Sequence, residues 1–253
     1  MKLNRFLPLF IPLAVFLFLE LFYFKPEMIY VAIVFVVLLF LFTLRQFIRV
    51  SGKEEGVWNF IILPFSFTIS LIIFAVMVPS RLIVQLLFFL DLFFLYIYFK
   101  HVYYYLVKSS FYKKYALENI SAYGNFLVVF LFFSSVYGLQ SFLNISVWIL
   151  MIAVVVVSVM VVYQVVWINK IDLRRGSFYV ILSSLVLLEA AWALSFLPLS
   201  FYLLGLILAI CYYMLVGIIR FHLIGNLNRR LVKLYLASGL AAILLILLTA
   251  KWL

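Results

Sequence analysis

Three acids stand inside long apolar runs of this chain: Glu20, Asp91 and Glu189. An ionisable side chain at a bilayer centre costs about 2.5–3.5 kcal/mol on insertion scales, so it is kept where it holds a proton, an ion or a partner. Asp91 lies nine residues from the outer end of its run, a depth of roughly 13 Å. Glu189 lies eleven residues from the inner end of its run, also roughly 13 Å below the outer surface of a ~30 Å core. Glu20 is shallower, roughly 6 Å from the outer face. No Lys or Arg shares the depth of Asp91 and Glu189. Each acid is therefore protonated, paired with the other, or open to a polar cavity. The chemistry this suits is a proton- or cation-linked site. The plainer alternative is two neutral carboxyls, each bonded to a neighbouring helix.

His101 and His222 each sit just past the inner end of an apolar run, in Phe-Lys-His and Arg-Phe-His. Two imidazoles at one level could ligate haem or a metal. Their basic neighbours would repel a cation, and Cys211 is the single cysteine. No metal and no cofactor are expected. Between Tyr96 and Tyr115, seven tyrosines alternate with Lys100, Lys108, Lys113 and Lys114. Such an aromatic and basic stretch suits anionic headgroups. Arg220, Arg229 and Arg230 form a similar group. His101, His222, Lys113, Lys114, Arg229 and Arg230 are the candidates for headgroup contact. Recognition of a phosphate-bearing lipid or of a partner protein is the sharper version of that role.

Familiar catalytic equipment is missing. The chain has no H-E-x-x-H, no P-loop, no G-x-G-x-x-G and no G-x-S-x-G. Acid pairs spaced for magnesium and a large acidic outer loop are also absent. No catalytic residue is assigned.

The elements that must position these residues follow from composition. The 253 residues are 70% hydrophobic and 11% charged, against roughly 25% charge in a soluble domain. Only lipid accepts so much apolar surface, and in lipid every backbone polar group must be bonded internally. The expectation is an all-α polytopic bundle forming a single transmembrane domain over 1–253. Nine runs reach spanning length: 6–24, 28–44, 57–78, 82–99, 120–139, 145–168, 178–196, 201–219 and 234–250. The first resembles a signal peptide, with Lys2 and Arg5 ahead of it, but Phe22–Phe24 stand where a small-residue cleavage site belongs. It reads as an uncleaved span.

Basic residues orient the spans. With the N-terminus in the cytoplasm and the C-terminus outside, sixteen of the 19 Lys and Arg fall on inner segments, and only Lys25, Arg81 and Lys251 on outer ones. This alternation is the positive-inside pattern, expected of a bacterial or archaeal cytoplasmic membrane. Trp58, Trp148, Trp167 and Trp252 fall near span ends, as headgroup-seeking indoles do. The +11 charge therefore belongs to short loops beside lipid rather than to a nucleic-acid surface.

Small residues mark the last three spans. Gly205 and Ala209, Ala237 and Ala241, and Ser238 and Ala242 are each four apart, a spacing that lets helices approach closely. Either the C-terminal third is tightly packed or the same face meets a second copy or a partner protein. Pro64 interrupts the third span.

Three functions fit these observations. The first is a small permease or proton/cation-linked transport component using the buried acids. The second is a non-catalytic scaffold or anchoring subunit. The third is a lipid-modifying enzyme with a site on the cytoplasmic side.

Overall fold

The computed structural model describes residues 6–52 and 55–251. Lys2, Arg5, Lys53 and Trp252, which enter the counts above, lie outside the described residues. Among the described residues there is no strand, and nine helices are long and apolar enough to cross a membrane. They are α1 (Leu7–Phe24), α2 (Ile29–Ser51), α3 (Val57–Val76), α4 (Arg81–Leu106), α5 (Ala116–Leu143), α6 (Val147–Ile168), α7 (Leu173–Leu194), α8 (Phe201–Leu223) and α9 (Arg229–Thr249). The chain is a polytopic, all-helical membrane protein.

The nine helices coincide with the nine apolar runs, but several continue past them at the basic ends. Helix α2 carries Arg45 and Arg49 to Ser51 and stops only where Gly52 turns left-handed at φ 65°. Helix α4 carries Lys100 to Leu106. At the start of α7, Asp172 accepts the Arg174 N–H at 3.2 Å, and at the start of α9, Asn228 accepts the Arg230 N–H at 3.3 Å. Hydropathy marks what lipid accepts, whereas Lys and Arg are good helix formers. The helix therefore ends at a cap rather than at the edge of the apolar stretch.

The chain gathers into two compact units, Met1–Gly124 and Asn125–Leu253, divided within α5. In the first unit α1 packs along α4, while α2 and α4 both pack on α3. The core is aromatic. Phe40, Phe47, Phe60, Phe67, Phe88, Tyr98 and Phe99 have no exposed surface. The Phe67 and Phe94 rings lie 4.2 Å apart, Phe40 and Phe99 5.3 Å, and Phe47 and Tyr103 5.4 Å. Pro64 stands inside α3. Lacking an N–H, it leaves the carbonyl one turn back without its helical donor. That carbonyl belongs to Phe60, and the buried Tyr98 hydroxyl of α4 donates to it at 2.8 Å. Between α4 and α5, the Tyr112 hydroxyl donates to Glu118 at 3.0 Å and accepts the Leu117 N–H at 3.4 Å. Burial, reinforced by Glu118, pushes this hydroxyl up to about 12, so it remains a donor near neutral pH.

In the second unit α6 packs along α7, and α8 contacts α7 and α9. Asn125 donates to Gln164 in a buried amide pair. Tyr137 donates to the Ala191 carbonyl at 2.9 Å. Gly205 of α8 lies against the backbone of α5: a Cβ there would stand 2.6 Å from Ser134 N and 2.7 Å from its Cα. With Ala209 also fully buried, the small face of α8 makes the close approach its spacing predicts. Helix α9 does not. Gly239 is its only buried residue and seats Met214, while Tyr235 fills the notch at Gly217. Ala237, Ser238 and Ala241 face outward. A four-residue spacing defines a face without saying which helix, if any, covers it.

Candidate functional site

Asp91 lies in the middle of α4, ten residues from Arg81 and fifteen from Leu106, or roughly 15 Å and 23 Å along the axis. Phe88, Phe94 and Leu95 share its helix face and are buried with it. The α4 stripe that faces the unit interior is thus apolar except at this carboxyl. Asp91 has no exposed surface. Its Oδ1 accepts a hydrogen bond from the Thr68 hydroxyl of α3 at 3.0 Å. Its Oδ2 is buried and has no hydrogen-bond partner among the described residues. Thr68 stands in the run Ser66-Phe67-Thr68-Ile69-Ser70, whose three hydroxyl residues are all buried. An ionised carboxylate here would be an uncompensated charge out of water, which costs several kcal/mol. A carboxylic acid avoids that cost and can use its own O–H.

Glu20 is half-buried on α1 and accepts from Gln85 Nε2 of α4 at 3.1 Å. Helix α4 is thus bonded to a second carboxyl, nearer the end at which α1 stops and α4 starts. Glu189 belongs to the other unit and has different surroundings. It is exposed on α7 and lines an apolar groove of about 450 Å³ with Trp148, Met151, Ile152, Val155, Leu188 and Trp192. It stands five residues before the end of α7 at Leu194, only roughly 7 Å from that end. Asp91 and Glu189 therefore differ in burial and in polar partners.

The headgroup candidates sit near helix ends. Nδ1 of His101 is 2.8 Å from the Ile97 carbonyl one turn back, which fixes the ring on its own helix. His222 is exposed at the end of α8, 5.7 Å from the Tyr179 ring. Lys113 and Lys114 are exposed between α4 and α5, with the Lys114 ammonium 5.0 Å from the Tyr115 ring. Arg229 and Arg230 form the exposed first turn of α9. No group of three or more His, Cys, Asp or Glu side chains among the described residues could hold a metal ion.

Sequence reasoning missed Thr68 and Gln85. Thr68 gave a faint signal, as one of three hydroxyl residues within five positions of an apolar span. Its pairing with Asp91, 23 positions away, depends on the register of α3 against α4, which periodicity does not supply. A family model described as "Protein of unknown function (DUF5656)" matches residues 22–249. The chain belongs to the DUF5656 family. No curated protein matches it, and no solved structure does. Within this DUF5656 chain the match spans Asp91, Thr68, Gln85 and Glu189, and begins just after Glu20.

Proposed function

We propose that this chain is a proton-linked component of membrane transport, with Asp91 as the group that takes up and releases the proton. The observation that carries the reading is the wholly buried Asp91 carboxyl, held through one oxygen by Thr68 while the other oxygen has no partner among the described residues. A purely structural acid in lipid would gain by having both oxygens bonded. A proton suits the site better than a metal cation. Asp91 and Thr68 together offer three oxygens, whereas the hard divalent ions take about six to eight. The Glu20–Gln85 pair, between α1 and α4, provides a second carboxyl beside α4 toward one end.

Infrared difference spectroscopy of the protein in a lipid film, between acid and alkaline buffer, tests this directly. The expected result is a protonated-carboxyl band that changes with pH, is lost in Asp91→Asn and moves in Thr68→Val. An Asp91 band that stays constant wherever the protein is folded would mark a fixed structural acid and contradict the reading.

The 16-to-3 division of basic residues supports an N-terminus in the cytoplasm, a C-terminus outside and a bacterial or archaeal cytoplasmic membrane. A second reading, as an anchoring subunit, is favoured by the outward face of α9. There Ala237, Ser238 and Ala241 have the spacing of a helix–helix contact and no covering helix. Cysteine cross-linking from Ser238→Cys in membranes, in a Cys211→Ser background, is expected to trap a second copy or a partner on that reading. Only monomer would count against it.

A further inference from the structure

We propose that a cleft at the end of the first unit where α1 begins and α4 ends binds the phosphate headgroup of a membrane lipid. The site is independent of Asp91. It is a cavity of about 310 Å³ lined by Phe6, Pro8 and Leu9 from the start of α1, by Tyr96, Lys100, Tyr103 and Tyr104 of α4, and by Lys108 and Phe111 just beyond it.

Two cations reach this cleft by different routes. Tyr96, Lys100, Tyr103 and Tyr104 lie on one face of α4, spaced by helical turns. Lys108 and Phe111 follow at the same spacing but outside the helix: α4 stops at Leu106, and a turn of 3-10 helix, Ser109–Phe111, follows. The Phe111 ring comes back over Tyr104, with centroids 6.1 Å apart and planes at 30°. The Lys108 ammonium lies 5.5 Å from the Phe111 ring, and the Lys100 ammonium 5.3 Å from the Tyr96 ring. Neither ammonium is paired with a carboxylate among the described residues, so both charges remain available to an anion. Tyr103 is 95% covered, at 5% relative exposure. It lines the cleft. A phenol hydroxyl beside two ammoniums is a ready set of anion donors.

The remaining wall identifies the kind of anion. Phe6 and Leu9 are 54% and 48% exposed, so the apolar side of the cleft is not covered by protein. A free phosphate would leave that side bare. An amphiphile would put its phosphate on Lys100, Lys108 and Tyr103 and lay its chain against Phe6 and Leu9. The cation–aromatic contacts hold the two lysines in place before the ligand arrives, which lowers the ordering cost of binding.

Native mass spectrometry of the purified full chain, titrated with dioctanoyl phosphatidic acid, dioctanoyl phosphatidylcholine or inorganic phosphate, tests the proposal. One saturable phosphatidic acid site is expected, weakened at least about tenfold in Lys100→Gln/Lys108→Gln, as loss of charge-assisted hydrogen bonds implies. Lys113→Gln/Lys114→Gln removes the same charge outside the cleft and should change affinity by less than about twofold. Lys108→Gln alone, at an exposed position, and Tyr103→Phe, which keeps both charges, should each weaken binding by about threefold or more. These two variants decide the matter if the double variant fails to fold. Equal loss in both double variants would show diffuse electrostatics, and unchanged affinity in the cleft variants would show no site. Inorganic phosphate displacing the lipid at similar concentration would show a free-anion site. Each of these three results overturns the proposal.

Discussion

Pro64 removes a hydrogen-bond donor from α3, and the Tyr98 hydroxyl of α4 supplies one to the Phe60 carbonyl at 2.8 Å. Neither residue explains the other until the two helices are side by side, 38 positions apart in the chain. The pairing can be tested as a coupling. Tyr98→Phe should destabilise the protein by roughly 0.6–2 kcal/mol, the range for interhelical hydrogen bonds in membranes. In a Pro64→Ala background the restored N–H bonds Phe60 within its own helix, and Tyr98→Phe should then cost clearly less. Unfolding in mixed micelles measures both, and equal costs in the two backgrounds would show that the bond is incidental. Asp91 was legible at this scale as a buried acid because charge stands out in an apolar run. Its donor Thr68 was not legible, since a hydroxyl is common in spans and its aim depends on how α3 and α4 pack. The two lysines of the cleft were equally hidden. Lys100 and Lys108 are ordinary members of a basic stretch until the turn after Leu106 brings Phe111 over Tyr104.

Helices carry a different kind of information. Nine apolar runs bounded by basic residues were enough to locate nine helices, because backbone bonding in lipid leaves the chain little other choice. Helix ends and packing faces were less legible. The extension of α2, α4, α7, α8 and α9 into basic residues depends on caps such as Asp172 and Asn228. The small-residue faces of α8 and α9 look alike in sequence, yet only that of α8 is covered. Substitution separates them. Gly205→Ala places a Cβ within 2.7 Å of the Ser134 backbone and should cost about 1–3 kcal/mol as an overpacked contact. Ala237→Leu on the open face of α9 should leave the melting temperature of the isolated chain nearly unchanged. A destabilising Ala237→Leu would mean that α9 is covered after all, by a copy that survives in detergent.

On the proposed function, one buried carboxyl of a polytopic helical membrane protein, Asp91, takes up and releases the proton. With the N-terminus in the cytoplasm, Asp91 would lie in the outer half of the membrane and the Lys100–Lys108 cleft on the cytoplasmic side. Thiol labelling of intact cells should therefore modify Ser80→Cys, between α3 and α4, in a Cys211→Ser background. Ser109→Cys, between α4 and α5, should react only after the membrane is opened. The reverse pattern would invert every sidedness stated above without touching the fold. The most direct test of the central claim is proton movement in vesicles. Protein is reconstituted into liposomes holding a pH-sensitive dye, and a potassium diffusion potential is imposed with valinomycin. Proton entry by the native chain is expected above the protein-free leak, falling to that leak in Asp91→Asn at equal incorporation. Native chain and Asp91→Asn vesicles that acidify at the same rate would contradict it.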